Sequence, residues 1–581
     1  MSNACIAARV SLFEQTVRQR RMRAISFTFA LVASTLIGSP LTGPRDAAAQ
    51  TSAGGRSEVF PGGELESYLR YLQTAGKSES YPWSIRSFSP SEIDLLAAKD
   101  DDHPWAHRYD LQRRPPSSGF QWDYVRPHLT FYLNSSYPFG GNDGAVWQGK
   151  GLTTSFQGGI SARWGPFSAI LAPVAFRAEN QSFPLFRNGE TGRLRFADGQ
   201  FPTSLDRPQR FGIDPYSQID LGQSTLRFDL FGVAAGISTA NQWWGPTDNY
   251  PYILGNNAAG FPHVFFGTSH PANLYVARLH TRIVYGQLDQ SAYSSVTGPE
   301  YFRTFAQPGK RRFMAGLIAS LQIRGAPGLE IGGARFFHAA SDSSGISSHN
   351  LGLPFQNLFK RSLRQETDTA IGGDLSSLKE NQLASIFLRW APPGSGFEVY
   401  GEYGREDYSA NARDLILEPE HEGTVNIGFR KAWLSGGVMH ALRGEVFNYE
   451  WPGGSRTRDE GLVYVHFTLR QGHTYRGQLL GADVAPGSGG AQTLAYDMYN
   501  TKGRLTAFVS RVVNHEVRTT YRSGPAAPNG VDVMNSIGLE ATRFIGPFDV
   551  NAKLTLTDDL DRNFITDRAN ANFQLGIRQA F

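Results

Sequence analysis

The densest run of groups that could do chemistry is Asn241 to Gly267, which reads N-Q-W-W-G-P-T-D-N-Y-P-Y-I-L-G-N-N-A-A-G-F-P-H-V-F-F-G. The adjacent indoles of Trp243 and Trp244 can stack on sugar faces, and the amides of Asn256 and Asn257 can make paired hydrogen bonds to hydroxyls. Both pairs also have a structural reading, in which the indoles anchor a membrane interface and the asparagines satisfy their own turn. Catalytic patterns are weak beside this run. No Gly-x-Ser-x-Gly elbow occurs. His280 could pair with a serine of a neighbouring strand, but as one histidine among 13 it reads better as a polar residue of a lumen wall. Gly144 to Gly151 nearly spells a phosphate loop, with Gly151 where Ser or Thr is required. Asp559-Leu560-Asp561-Arg562-Asn563 begins like a calcium loop and then places Phe564 where glycine is needed, so a hairpin turn is the better reading. No catalytic residue, metal site or cofactor is assigned.

The elements that must position these groups are strands. From Asn570 to Phe581 the apolar residues Ala571, Phe573, Leu575, Ile577 and Phe581 fall at alternate positions, with Asn572, Gln574 and Arg578 between them. A last strand of this kind, ending on an aromatic, is similar to the closing strand of bacterial outer-membrane barrels, whose end the barrel assembly machinery reads. The same period governs Tyr275 to Tyr285, where Arg278, His280 and Arg282 share one face. A charge facing lipid at mid-bilayer costs about 2–4 kcal/mol, so that face must look into a wet lumen. Arg324, from the stretch Ala315 to Arg324, is assigned to the lumen on the same ground, as are Gln322, Glu398, Glu402, Asn426 and Arg430. Dividing the roughly 455 residues after Arg126 by about 25 per strand with its connection predicts about 16 to 18 strands, an even number as such barrels prefer. Long polar connections fall at 177–222, 341–380 and 405–423.

The rest of the composition agrees. With 40% hydrophobic residues, 63 glycines and a mean hydropathy of -0.33, the chain is too polar for a bundle of membrane helices. Arginines at 18, 20, 21 and 23, the apolar run from Ala24 to Gly38 and the small residues Ala47 to Ala49 have the layout of a secretory signal over residues 1–49, with Met22 as an alternative start. The single cysteine, Cys5, lies in that leader, so no disulfide is expected downstream. The net charge of +4 is spread along the chain, with no basic tract that would suit nucleic acid. Residues 50–125 read as helical: Leu65, Tyr68, Leu69 and Leu72 form one apolar face ending at Gly76, and Ser89-Pro90-Ser91-Glu92 is a capping-box start. Helices this short must pack on each other or plug one mouth of the barrel, which is expected to occupy residues 126–581.

Trp243-Trp244-Gly245-Pro246, Ile253-Leu254 and Asn256-Asn257-Ala258, in that order and spacing, resemble the signature of the Wzi-type capsule assembly proteins. The alternation over Tyr400 to Glu406, the helical segment after the leader and the terminal Phe581 are also similar to that family. The resemblance implies an all-β fold, a closed antiparallel transmembrane barrel of about 18 strands, integral to the bacterial outer membrane, with a small N-terminal periplasmic α-helical domain. It implies a lectin-like protein in capsule assembly or surface attachment, not an enzyme, whose partners are capsular or other surface polysaccharide, outer-membrane lipid and the assembly machinery. Inward arginines would suit an acidic polymer. The rival expectation is a passive porin with a charged lumen. An open constriction would favour the porin, and a plugged barrel with aromatic outer loops would favour the binding protein.

Overall fold

The computed structural model describes residues 59–96, 104–105, 108, 119–296, 311–340, 348–356, 380–406, 416, 419, 422–449, 462–466, 469–484, 486–517 and 530–580. The expected leader, residues 1–49, and Phe581 lie outside the described residues. The alternating strands close into one antiparallel barrel in which Phe120–Asn134 pairs with Gly151–Trp164 on one side and with Thr566–Gln579 on the other. Counting three interrupted strands as one each, the wall has 18 strands. One interruption falls between Leu171 and Val174, where Pro173 has no N–H to give the ladder.

Side-chain alternation follows the barrel wall. Ile386, Ile427, Ile537 and Leu556 are exposed on the outside, while Gln322, Glu398, Glu402, Asn426 and Arg430 are buried on the inside. Among the described residues no helix is long and apolar enough to cross a membrane. The first wall strand starts at Phe120, not at Arg126. Its register shifts between Val125 and His128, so Arg126 and Pro127 form a bulge that hides the continuity of the strand in the sequence.

The two ends of the barrel differ. At one end the strands are joined by tight turns, such as Gly165-Pro166, Gly436-Gly437 and Gly546-Pro547. Gly436 and Gly437 both have positive φ (59 and 75), which a two-residue hairpin of this twist demands. At this end lie helix α1 (Glu64–Thr74) and helix α2 (Pro90–Leu96). Tyr68, Leu69 and Leu72 of α1 are fully buried, in one cluster with Trp105 and with Met439, Ala441 and Tyr499 of the wall. Gly76 (φ 73) ends α1, where the Lys77 N–H reaches the Leu72 carbonyl. Glu92 accepts from both the N–H and the hydroxyl of Ser89, which starts α2. The helices therefore fill the short-turn mouth from inside; residues 52–581 form one compact unit. At the other end the connections are long, and those at 135–150, 179–215, 239–262 and 462–488 bring buried residues into the lumen.

Candidate functional site

The lumen is filled in layers, each anchored to a wall carboxylate. Glu398 is fully buried and receives Arg70 of α1 through Nε (3.0 Å) and Arg389 through Nε (3.0 Å), with the Thr74 hydroxyl at 2.8 Å. Glu445 collects the backbone N–H groups of Asp248 (2.9 Å), Asn249 (2.8 Å) and Tyr250 (3.1 Å). Asp248 in turn meets Arg430 at 2.9 Å, Arg443 at 3.0 Å and Arg70 at 3.6 Å. Burial pushes the Asp248 carboxyl up, but the three guanidiniums outweigh it and hold the group well below the usual carboxylate range. The segment 241–262 is thus an internal strap, tied to the wall below and to α1 at the short-turn end.

This placement corrects the binding role expected for the tryptophans. Trp243 and Trp244 pair with Arg86 and Ile85 as a short two-stranded ribbon inside the barrel, and both indoles are buried. The Arg86 guanidinium lies 4.6 Å over the Trp243 ring, and Trp244 packs on Phe336. A Cβ added at Gly316 would stand 2.6 Å from the Trp244 ring, so the wall is glycine where that indole presses on it. No face of either ring is open to a sugar. The asparagines crosslink loops. Asn256 donates to the Asn142 carbonyl at 2.8 Å, Asn257 accepts from the Asn142 N–H at 2.7 Å, and the Asn257 amide donates to the Gly481 carbonyl.

The lumen arginines are engaged as well. Arg278 donates to the Ser80 carbonyl at 2.9 Å, and Arg282 to the Gln242 side chain at 2.7 Å. Arg324 lies past the end of the strand Arg311–Ile323, exposed and bound to Asn273 at 3.1 Å, so it belongs to the rim and not to the lumen. Its side-chain parity matched the inner face, but the strand stops one residue short of it. His280 is held by Thr268 at 2.7 Å and lies 3.3 Å from Glu92 of α2, so it braces the plug, while Ser320 opposite it on the neighbouring strand gives its hydroxyl to Glu330 at 2.6 Å.

What remains open is a cavity of about 330 Å³ at the long-loop end, within the range of roughly 300–1,000 Å³ usual for small-molecule sites. Its rings include Tyr137, Phe139, Trp147, Phe186, Phe201 and Phe564, with Phe186 and Phe564 edge to face at 5.9 Å. Amides from Gln148, Gln200, Gln209, Gln478 and Asn514 stand between them, and Asn257 lies on its lining. The charged lining consists of five aspartates, at 143, 198, 483, 532 and 559, against Arg207 and Arg562. Arg207 is already paired with Asp198 (3.2 Å), and Arg562 with Asp559 (2.8 Å). Burial pushes the Asp143 carboxyl up to about 6. A mouth of this charge does not match the expected preference for an acidic polymer. A second, polar cavity of about 730 Å³ runs beside the plug toward the short-turn end and shares Asp143, Asn257 and Asp483 with the first.

Sequence reasoning missed the aromatic mouth because its rings are scattered from Tyr137 to Phe564. The one available signal was the run at Asp559. Its turn reading agrees with the structure, since the strand Phe548–Arg562 turns back into Thr566–Gln579 with Asp561, Asn563 and Phe564 all at positive φ. That turn drops Phe564 into the cavity. The loops 341–380 and 405–423, expected to carry outer contacts, fall largely outside the described residues.

The chain matches the family model described as capsule assembly protein Wzi over residues 139–516. Among solved structures it is similar to Wzi of Escherichia coli, described as an outer membrane protein involved in group 1 capsule assembly and a carbohydrate-binding β-barrel. Identity there is 14% and the TM-score 0.59, over 90% of this chain and 99% of that one. OccK2 (OpdF) of Pseudomonas aeruginosa is similar at 10% identity and a TM-score of 0.37, over 79% of this chain and 96% of that one. A BenF-like porin of Pseudomonas fluorescens gives 10% identity and a TM-score of 0.36, over 79% and 98%. No curated protein matches the sequence.

Proposed function

Because the chain belongs to the Wzi family of capsule assembly proteins, we propose that it is an integral outer-membrane barrel that binds capsular or other surface polysaccharide and holds it at the cell surface. The observation that carries this reading is the aromatic and amide-lined cavity at the long-loop end, closed beneath by the strap and by α1. Short turns belong to the periplasm and long loops to the outside, so a polymer segment entering from outside meets rings to stack on and amides to bond. The barrel acts by binding and not by catalysis: its one strand histidine suggested by the sequence is spent on Thr268 and Glu92. The leader delivers the chain, the assembly machinery reads its last strand, and outer-membrane lipid surrounds its wall.

The experiment compares cell-bound and shed polysaccharide in a strain lacking the protein and in the same strain carrying Phe186→Ala with Phe564→Ala. Shedding in both, with the double variant still shifting on SDS gels when boiled, is the expected result. Full retention without the protein would overturn the reading. The polar cavity beside the plug is the one feature that suits a porin. Stable single-channel conductance of the intact barrel in planar bilayers would decide for that alternative.

A further inference from the structure

Wall residues that point away from the lumen meet lipid, and Ile386, Ile427 and Ile537 do so at 65%, 62% and 60% exposure. Two neighbouring strands depart from this rule. On Leu329–Ala340, Phe336 and His338 look inward onto Trp244 and His473, so Phe337 and Ala339 look out. Phe313 and Ala315 stand opposite Ala339 and Phe337 in the ladder and look out with them. All four are nonetheless buried, at 5%, 0%, 0% and 3% for Phe313, Ala315, Phe337 and Ala339. What covers them is part of the long connection after Ala340: helix α3 (Ser348–Gly352) and the short 3-10 turn Leu353–Phe355 lie against the outside of the wall. Leu353 is fully buried in one cluster with those four residues. The Tyr285 hydroxyl, from the next strand, donates to the Leu351 carbonyl at 2.8 Å. Arg335 also points outward, two residues before Phe337, and donates to the carbonyls of Pro354 (3.3 Å) and Gln356. A charge on the lipid-facing side is thus wrapped in backbone carbonyls. His349 meets Glu380 at the start of the following strand.

The covering segment has an outer face of its own. Leu351 and Phe355, two residues either side of Leu353, are 48% and 63% exposed, and neither lines a lumen cavity. Around them stand the polar residues Ser348, His349, Asn350 and Gln356. Tyr285, Phe313, Phe337 and Phe355 gather near the long-loop ends of their strands, where the aromatic girdle of a membrane barrel belongs. We infer that residues 348–356 are a membrane hook, which seats Leu351 and Phe355 between the headgroups and acyl chains of the outer leaflet. The hook ties this part of the connection 341–379 to the lipid side of the wall, away from the mouth. Its occupant is lipid and not a second barrel, for two reasons. The face continues the lipid-facing wall without a break, and two apolar side chains fall far short of the about 20–30 residues a side that a stable protein contact uses. The inference is independent of the carbohydrate-binding reading and stands or falls separately from it.

The single cysteine lies at position 5, in the expected leader, so a cysteine placed in the barrel gives a unique labelling site. Phe355→Cys, Ile386→Cys on the bare wall and Thr191→Cys in an outer loop each carry a nitroxide in barrels reconstituted into phosphatidylcholine–phosphatidylglycerol vesicles. Spin-label relaxation then compares collisions with oxygen, which concentrates in lipid, and with a nickel chelate, which stays in water. The oxygen-to-nickel ratio at 355 is expected to approach that at 386 and to exceed that at 191 several-fold. A ratio at 355 equal to that at 191 would overturn the inference. Low access to both reagents, with spin–spin broadening that disappears on dilution with unlabelled barrel, would overturn it in favour of a second copy. Arg335→Ala is expected to raise nickel access at 355 and leave 386 unchanged. Should that variant fail to fold, Leu353→Ser, which touches no ladder hydrogen bond, is expected to do the same. Unchanged access at 355 in the folded variant would overturn the hook, since the wall contacts would then not be what holds the segment in lipid.

Discussion

The two mouths of this barrel are built on opposite electrostatic plans. At the short-turn mouth the buried charges are matched in networks: Glu398 holds two arginines, Asp248 three, and Arg504 bridges Glu64 and Glu540. At the long-loop mouth the cavity lining holds five aspartates against two arginines. The difference teaches where binding capacity resides. Fully matched charges lock a segment in place and have nothing left for a ligand, whereas unmatched groups in a cavity are a standing demand for one.

The largest effect should come from breaking the lock. Glu398→Ala leaves the buried Arg70 and Arg389 with only the more distant Asp248 (3.6 Å) and Glu330 (3.8 Å), a loss of roughly 3 kcal/mol. The plug is expected to come loose while the wall, whose ladder does not involve this side chain, stays closed. Faster proteolysis of the α1 region with a normal boiling shift would show this. A protease-resistant α1 would mean that the apolar cluster of Tyr68, Leu72 and Trp105 holds the plug without the ion pairs. A smaller effect is expected from Asn257→Ala, which leaves the Asn142 N–H and the Gly481 carbonyl unpaired at a cost of about 1–3 kcal/mol. Hydrogen exchange should rise in 139–149 and 477–484 and stay unchanged in α1. Uniform change would merge the two mouths into one cooperative unit.

How much of this contrast was legible in the sequence follows from the range of the forces involved. The wall was readable because strand period and the cost of a charge in lipid act locally: Gln322, Glu398, Glu402, Asn426 and Arg430 all face inward as their parity requires. The limit of that reasoning is Arg324, which has the right parity but lies beyond the strand end, since parity says nothing about where pairing stops. The helix starts and stops at Ser89, Glu92 and Gly76 were equally local. The strap was not legible, because the partners of Trp243 and Trp244 are Arg86, Phe336 and Gly316, set by closure of the barrel. A run rich in indoles and amides looks the same whether it faces a sugar or a protein interior. The mouth was least legible, since Tyr137, Phe186 and Phe564 come from three separate connections.

The comparison sharpens further at the cavity itself. Phe564→Ala removes one ring of the edge-to-face pair with Phe186, and stacking of this kind is worth about 0.5–1.5 kcal/mol beyond burial. Polysaccharide affinity is expected to fall roughly three- to tenfold per site, with proteolysis of α1 unaffected. Because one polymer engages many barrels, the loss should be larger on cells than in solution. Equal losses in both settings would mean that each chain is held by a single barrel.

The smallest effect is also the one that separates the mouths by sign. Asp248 has its folded carboxyl held below the ordinary value by Arg430, Arg443 and Arg70 against the push of burial. An acid depressed on folding adds stability above its unfolded value, near 4, and that stability is lost as pH falls from there toward the depressed folded value. Asp143 is the reverse case: burial raises its carboxyl to about 6. An acid raised on folding favours the folded form fully only below the unfolded value, and the advantage drains away as pH climbs from about 4 to about 6. Between those values the strap at Asp248 should therefore hold steady while the loop 139–149 loosens as pH rises. Below about pH 4 the order should invert, with α1 and the strap loosening and the loop at its firmest. Hydrogen exchange across 64–74, 241–262 and 139–149, corrected for the intrinsic pH dependence of exchange, measures all three at once. Parallel trends at the two mouths would show that a charge network spanning the lumen, and not each local partner set, governs their stability.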